Sequence, residues 1–136
     1  MSIPLPRTIR HVRRATRGVT FDTGMLVALE RRKSSALALL QACRLSRAKI
    51  TIPATVLAEW WRGSYSAMLE IGTLEPLSPA LALQAGRLLA ETHRSNAIDA
   101  TVVASAAQRG DIVVTGDPDD LRRLAKAVTG VAVELV

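Results

Sequence analysis

The stretch Asn96–Leu121, NAIDATVVASAAQRGDIVVTGDPDDL, restricts the fold more than any other part of the chain. Its first half repeats apolar residues at helical spacing, with Ser95 or Asn96 placed to start the helix and Gly110 placed to end it. The next run, Ile112–Thr115, is short, apolar and rich in β-branched residues, as a buried strand is. Pro118 then opens another helix, through Leu121 and Leu124 to Ala127. A helix that turns directly into a buried strand, with a helix after it, is a building block of a parallel sheet. Both halves of the stretch carry acids in apolar company, Asp99 on the helix and Asp117 just past the strand.

The rest of the chain continues the alternation. Val19–Asp22 reads as a strand ending on an acid, with Thr23 able to cap a helix from Gly24 that Arg31-Arg32-Lys33 closes. A longer helix runs from Ser34 or Ser35 to about Arg47, and a strand follows at Lys49–Ile52. Pro53 suits the first turn of a helix to Arg62, which Gly63 ends. Further expectations are a helix at Ser64–Ile71, a strand near Leu74–Leu77, a helix from Ser78-Pro79 to about His93, and a last strand at Val131–Leu135. These elements predict one α/β domain over residues 18–136 with a mainly parallel sheet. In such sheets ligands bind beyond the carboxyl ends of the strands, where both Asp22 and Asp117 fall. Residues 1–17 read as a basic N-terminal tail, broken by Pro4 and Pro6 and carrying Arg7, Arg10, Arg13, Arg14 and Arg17. Such a tail is either a solvated extension or an arm that touches nucleic acid or a partner.

Composition narrows the chemistry. At 136 residues the chain is long enough for its own core. No apolar run approaches the roughly 18 residues of a membrane span, and no apolar segment follows the basic start as in a secretory signal. Cys43 is the single cysteine, which excludes an internal disulfide and a cysteine zinc cluster and points to the cytoplasm. The net charge of +6 suits a polyanionic partner, while aromatics at 3% exclude a broad base-stacking platform. His11 and His93 lie in the tail and near a helix end, no serine sits in a nucleophile elbow, and no glycine-rich phosphate loop is present.

What remains is a set of carboxylates. Asp22 follows Val19, Thr20 and Phe21, so it is either a partly desolvated ligand or a helix cap. Glu59 sits at the margin of an apolar helix face, and taken alone it reads as an exposed glutamate or the partner of Arg62. Asp99 shares a helical face with Val102, Val103 and Ala106, and it also suits a reciprocal cap with Asn96. Asp117, Asp119 and Asp120 crowd one strand end and repel one another unless a cation is present, with the Thr115 hydroxyl beside them. Oxygen ligands of this kind suit Mg²⁺ or Mn²⁺. Trp60, Trp61 and Tyr65 form a local aromatic group that reads first as core or dimer packing.

In this order the pieces FDTGMLVALE, PATVLAEWWRG, NAIDATVVASAAQRG and DIVVTGDPDDL resemble the PIN-domain ribonucleases, in particular the VapC-type toxins of toxin–antitoxin modules. The resemblance runs from about Gly18 to Val136. It implies a three-layer α/β/α sandwich and an acidic quartet on Asp22, Glu59, Asp99 and Asp117. Asp22, Asp99 and Asp117 would be the metal ligands, and Glu59 would orient a water. Thr23, Asn96, Thr115 and Asp120 match accessory positions, whereas Gly24 fits the pattern loosely. The implied activity is Mg²⁺- or Mn²⁺-dependent hydrolysis of RNA, with Arg62 a candidate RNA contact. The implied partners are a cognate antitoxin and a second copy of the chain.

Two other readings compete. A receiver-like signalling domain is also α/β with acids at strand ends. It requires an acidic pair near the first strand, an acid after a middle strand and a lysine ending a late strand, and the chain has none of these. A PIN-like module that binds RNA or a partner without cutting shares every residue above and differs only in turnover.

Overall fold

The computed structural model describes residues 17–63 and 66–136. The expected helix start at Ser64, the side chain of Tyr65 and all of the basic tail but Arg17 lie outside them. Among the described residues five strands form one sheet in the order β3-β2-β1-β4-β5: β1 (Val19–Phe21), β2 (Ile50–Pro53), β3 (Thr73–Glu75), β4 (Ile112–Thr115) and β5 (Ala132–Leu135). Every pairing is parallel, with Val19 level with both Ile50 and Ile112 and Thr20 level with Thr51 and Val113. Among the described residues six α-helices accompany them: α1 (Thr23–Glu30), α2 (Ser34–Ser46), α3 (Ala54–Trp60), α4 (Pro79–Thr92), α5 (Ala97–Arg109) and α6 (Asp119–Ala125).

The strand order explains the layers. From β1 to β2 to β3 the chain steps toward one edge, and from β3 it crosses back to β4 and on to β5. Crossovers between parallel strands are right-handed, so reversing direction moves the connecting helices to the other face of the sheet. Accordingly α1 packs with α2 and α3, while α4, α5 and α6 pack on one another. The result is the expected α/β/α sandwich. It also creates a switch point between β1 and β4, the place where open parallel sheets leave a crevice.

Burial follows the residue types. Strands β1, β2 and β4 are buried along their whole length, as strands covered on both faces must be. Helix α5 is buried continuously from Ala100 to Ala106 because it is wedged between the sheet and α4 and α6. Its alanines and serine allow that close approach, and Gly110 ends it with φ 70°. The core of Phe21, Met25, Leu26, Leu39, Ile52, Ile112 and Leu121 spans both faces.

Three expectations shift. Ser66–Glu70 is a 3₁₀ helix, not the α-helix expected from Ser64, and the strand near Leu74 begins at Thr73 and ends at Glu75. No residue of the 3₁₀ segment is buried, so no apolar face holds a full helix there. Pro53 closes β2 and stands as the cap of α3, not as its first residue. Arg17, the last residue of the basic stretch, is fastened to the domain: its guanidinium donates to the carbonyls of Gly110 at 2.8 Å, Asp111 at 3.3 Å and Gly130 at 2.6 Å.

Candidate active site

The crevice at the switch point is a cavity of about 310 Å³ whose walls include Asp22, Glu59, Asp99 and Asp117. Thr23, Asn96, Thr115 and Asp120 line it as well, with Ile98 and Val102 as an apolar wall. Asp119, the remaining acid of the 117–120 group, is not among its walls.

Asp22 occupies the first position past β1 and is buried, with 7% of its surface exposed. Its two oxygens have different partners. Oδ1 accepts from the Met25 N–H at 2.9 Å and caps α1, and Oδ2 accepts from the Thr115 hydroxyl at 2.5 Å. That hydroxyl in turn accepts from the Asp117 N–H at 3.0 Å. A relay of hydrogen bonds therefore ties the ends of β1 and β4 together. Asp22 is thus itself the cap, a role that the sequence shared between it and Thr23. The Thr23 hydroxyl caps nothing; it is buried in the cavity wall without a hydrogen-bond partner.

Asp99 lies in the first turn of α5, where Asn96 Oδ1 accepts from its backbone N–H at 3.0 Å. The cap uses the Asp99 backbone and leaves its carboxylate to face the cavity. Glu59 is on the exposed last turn of α3, and Asp117 and Asp120 stand exposed on the rim. Asp120 also meets Arg123 at 3.5 Å, a surface pair of little energetic weight.

The carboxylates act on one another. Burial pushes the Asp99 pKa up to about 6, and the charges of Asp22, Asp120, Glu59 and Asp117 add to the rise. Burial also raises the Asp22 pKa against the bonds from Thr115 and Met25, with Glu59 adding to the rise. Among the described residues, none of the quartet forms an ion pair with an arginine or lysine. Nor, among the described residues, do any three His, Cys, Asp or Glu side chains stand close enough to hold one cation as they are placed. The donors are all oxygens, Asp22 is buried and Asp99 half-buried, and the unpartnered Thr23 hydroxyl joins them. That set fits a hard divalent ion that keeps part of its water shell.

Two features escaped the sequence reading. Gly24, a loose match there, touches the other side of the crevice. A side chain at that position would bring Cβ within 2.9 Å of the Gly116 nitrogen, so the start of α1 approaches the turn after β4 this closely because position 24 is glycine. The second is a polar cluster at the opposite end of β4. Arg109 donates through Nε to Asp111 at 2.9 Å, through Nη1 to Glu75 at 2.9 Å, and through Nη2 to Thr20 at 3.1 Å and Ser105 at 2.8 Å. Thr20 and Ser105 donate in turn to Asp111 and Glu75. The signal was present in the sequence: Asp111 adjoins an apolar strand just as Asp22 does.

The chain belongs to the PIN domain family, whose model matches residues 19–127. Its fold is shared by solved structures. A chain of VapBC2 from Rickettsia felis, bound to a promoter DNA fragment, superposes with a TM-score of 0.67 at 18% identity, covering 87% of this chain and 98% of that one. A chain of FitAcB from Neisseria gonorrhoeae gives 0.64 at 19% identity, with 85% and 95% covered. A chain of FitAB bound to the IR36 DNA fragment gives 0.62 at 19% identity, with 86% and 94% covered. No curated protein sequence matches the chain. Among the described residues, no helix is long and apolar enough to cross a membrane.

Proposed function

We propose that this protein is a Mg²⁺- or Mn²⁺-dependent ribonuclease and the toxin of a toxin–antitoxin pair. The observation that carries the reading is a switch-point crevice walled by Asp22, Glu59, Asp99 and Asp117, with which no arginine or lysine among the described residues forms an ion pair. Family membership supports phosphodiester chemistry, and the likeness to VapBC2 and FitAcB supports a partner antitoxin. The resemblance to VapC-type toxins extends the proposal to a homodimer in the cytoplasm.

Asp22, Asp99 and Asp117 are the residues to hold the metal. When bound, it supplies Lewis acidity to the phosphate and makes a nearby water easier to deprotonate. Asp22 offers an oxygen whose direction is fixed by Thr115 and the α1 cap. Asp99 is carried on a capped helix start, so its position is set by the rigid α5. Glu59 stands opposite, at the cavity wall, where it orients a water toward the phosphate. Asn96 and Asp120 supply hydrogen-bonding groups at the rim, the Thr23 hydroxyl supplies one within the wall, and Arg62 draws in the RNA backbone.

The test is RNA cleavage by the purified protein with Mg²⁺ or Mn²⁺, beside EDTA and an Asp99→Asn variant that keeps its shape and fold. Cleavage is expected to fall by on the order of 10²-fold or more in both controls. Full-rate cleavage by Asp99→Asn would remove the quartet from the chemistry. Metal binding without cleavage of any RNA, including cellular RNA, would favour the non-cutting PIN-like module.

A further inference from the structure

A second cavity, of about 220 Å³, opens beside the acidic one, and Thr23 and Glu59 belong to the walls of both. Its remaining walls are Val27 of α1 and the ends of two helices: Glu30 and Arg31 where α1 stops, Trp60 and Arg62 where α3 stops. Here the charge changes character. Arg31 and Arg62 are exposed, and among the described residues neither forms an ion pair. Arg62 donates through Nη1 to the Trp61 carbonyl at 2.7 Å, which uses one of the five N–H groups a guanidinium offers. Two open guanidinium forks beside an acidic crevice are a phosphate-binding arrangement.

Glu30 does not suit plain backbone binding, because its carboxylate repels phosphate. Yet it is held in the groove. The buried Trp60 needs an acceptor for its indole N–H, and that group donates to Glu30 Oε2 at 2.8 Å. Oε1 accepts no hydrogen bond from any described residue. An acceptor held in the same cavity wall as two open guanidinium groups suits a ligand that brings a donor along with its phosphates. Every ribonucleotide has such a donor in its 2′-hydroxyl, and deoxyribonucleotides lack it.

We infer that this groove holds the ribose and phosphate of a nucleotide adjoining the cleaved linkage, with Arg31 and Arg62 on phosphate and Glu30 Oε1 accepting from the ribose 2′-hydroxyl. The inference rests on the ribonuclease reading of the crevice, because the shared walls make the groove a continuation of one strand's path. It makes Glu30 a specificity residue and Trp60 the positioning residue that aims it.

The experiment is fluorescence anisotropy with a single-stranded RNA oligomer and its deoxy counterpart, using Asp99→Asn protein so that bound RNA stays intact. Replacing both arginines (Arg31→Gln with Arg62→Gln) is expected to weaken RNA and DNA alike, by about tenfold. The slope of log affinity against log salt should also shrink by about 1.4, or 0.7 for each lost phosphate contact. Glu30→Gln keeps a carbonyl for Trp60 but puts an amide nitrogen where Oε1 stood. It is expected to cut the RNA-over-DNA preference by about five- to tenfold. Trp60→Phe, which frees Glu30 without emptying the core, should lower the same preference in a smaller step. An arginine pair variant with unchanged affinity and salt slope would overturn the groove, as would failure of the parent protein to bind RNA. A Glu30→Gln protein with the parent's preference would overturn the ribose contact. Cleavage of the RNA by the Asp99→Asn protein would instead count against the quartet, so the two failures are told apart.

Discussion

Two acidic clusters lie at opposite ends of β4, and they solve the same electrostatic problem in different ways. At the amino end, Asp111 and Glu75 share the Arg109 guanidinium, and Thr20 and Ser105 complete the hydrogen bonds, so both acids have a cationic partner within the chain. At the carboxyl end, Asp22, Asp99, Asp117 and Glu59 surround a cavity and no arginine or lysine of the described residues pairs with them. Asp111 is more buried than Asp22, at 2% exposure against 7%, yet it has an arginine partner and Asp22 has none among the described residues; burial raises the pKa of both Asp22 and Asp99. Burial of an acid beside an apolar strand is therefore no mark of function. What separates the two clusters is the missing positive charge, and its absence coincides with the sheet's switch point.

The largest expected effect comes from making the closed cluster resemble the open one. Arg109→Met keeps much of the side-chain volume but leaves Asp111 and Glu75 without their cation. Removing one partner of a buried pair costs about 3–5 kcal/mol, measured as a shift in the urea denaturation midpoint. A loss under about 1 kcal/mol would mean that water reaches the cluster freely, and the contrast between the two ends would collapse.

The reverse experiment supplies the open cluster with its missing charge. Mn²⁺ at about a hundred times its dissociation constant is expected to raise unfolding stability by about 2.7 kcal/mol. The increment should vanish in Asp22→Asn and persist in Glu75→Gln, whatever each substitution does to the metal-free protein. Equal increments in both variants would show binding elsewhere and would detach the metal from the crevice.

The sequence revealed more of the open cluster than of the closed one, and the reason is physical. Acids past strand ends are legible because strand direction and the switch-point rule place them together without any knowledge of side-chain contacts. Helix α5 was legible for a similar reason, since the apolar face carrying Val102, Val103 and Ala106 fixes where Asp99 points. The Arg109 cluster depends on Glu75 of the edge strand meeting a helix end 34 residues later, and nothing local in either segment announces that meeting. The same holds for Glu30 and Trp60, 30 residues apart, and for the contact between Gly24 and Gly116. The short 3₁₀ segment at Ser66–Glu70 was misread as α-helix because its pattern is apolar, whereas burial decides whether such a pattern completes a helix.

The smallest effect tests the contrast without metal and depends on the sign of one titration. Asp99 ionises near pH 6 in the folded protein, against 3.8 for an unperturbed carboxyl. Between these values the unfolded chain releases its proton first, so rising pH draws the equilibrium toward unfolding. The penalty is absent below about pH 4, where both forms are protonated, and complete above about pH 6 to 7, where both are charged. Asp99→Asn removes the ionisation and keeps the Asn96 cap, which uses only the backbone N–H at this position. In metal-free buffer the variant should therefore be more stable than the parent by about 1–2 kcal/mol at pH 7–8, after allowing for solvent screening of a half-buried group. The gap should close as pH falls toward 4, and saturating Mn²⁺ should invert it at pH 7. A gap independent of pH would mean that neither burial nor the neighbouring carboxylates disfavour the Asp99 charge in the folded chain, and that the open cluster is open only in its geometry.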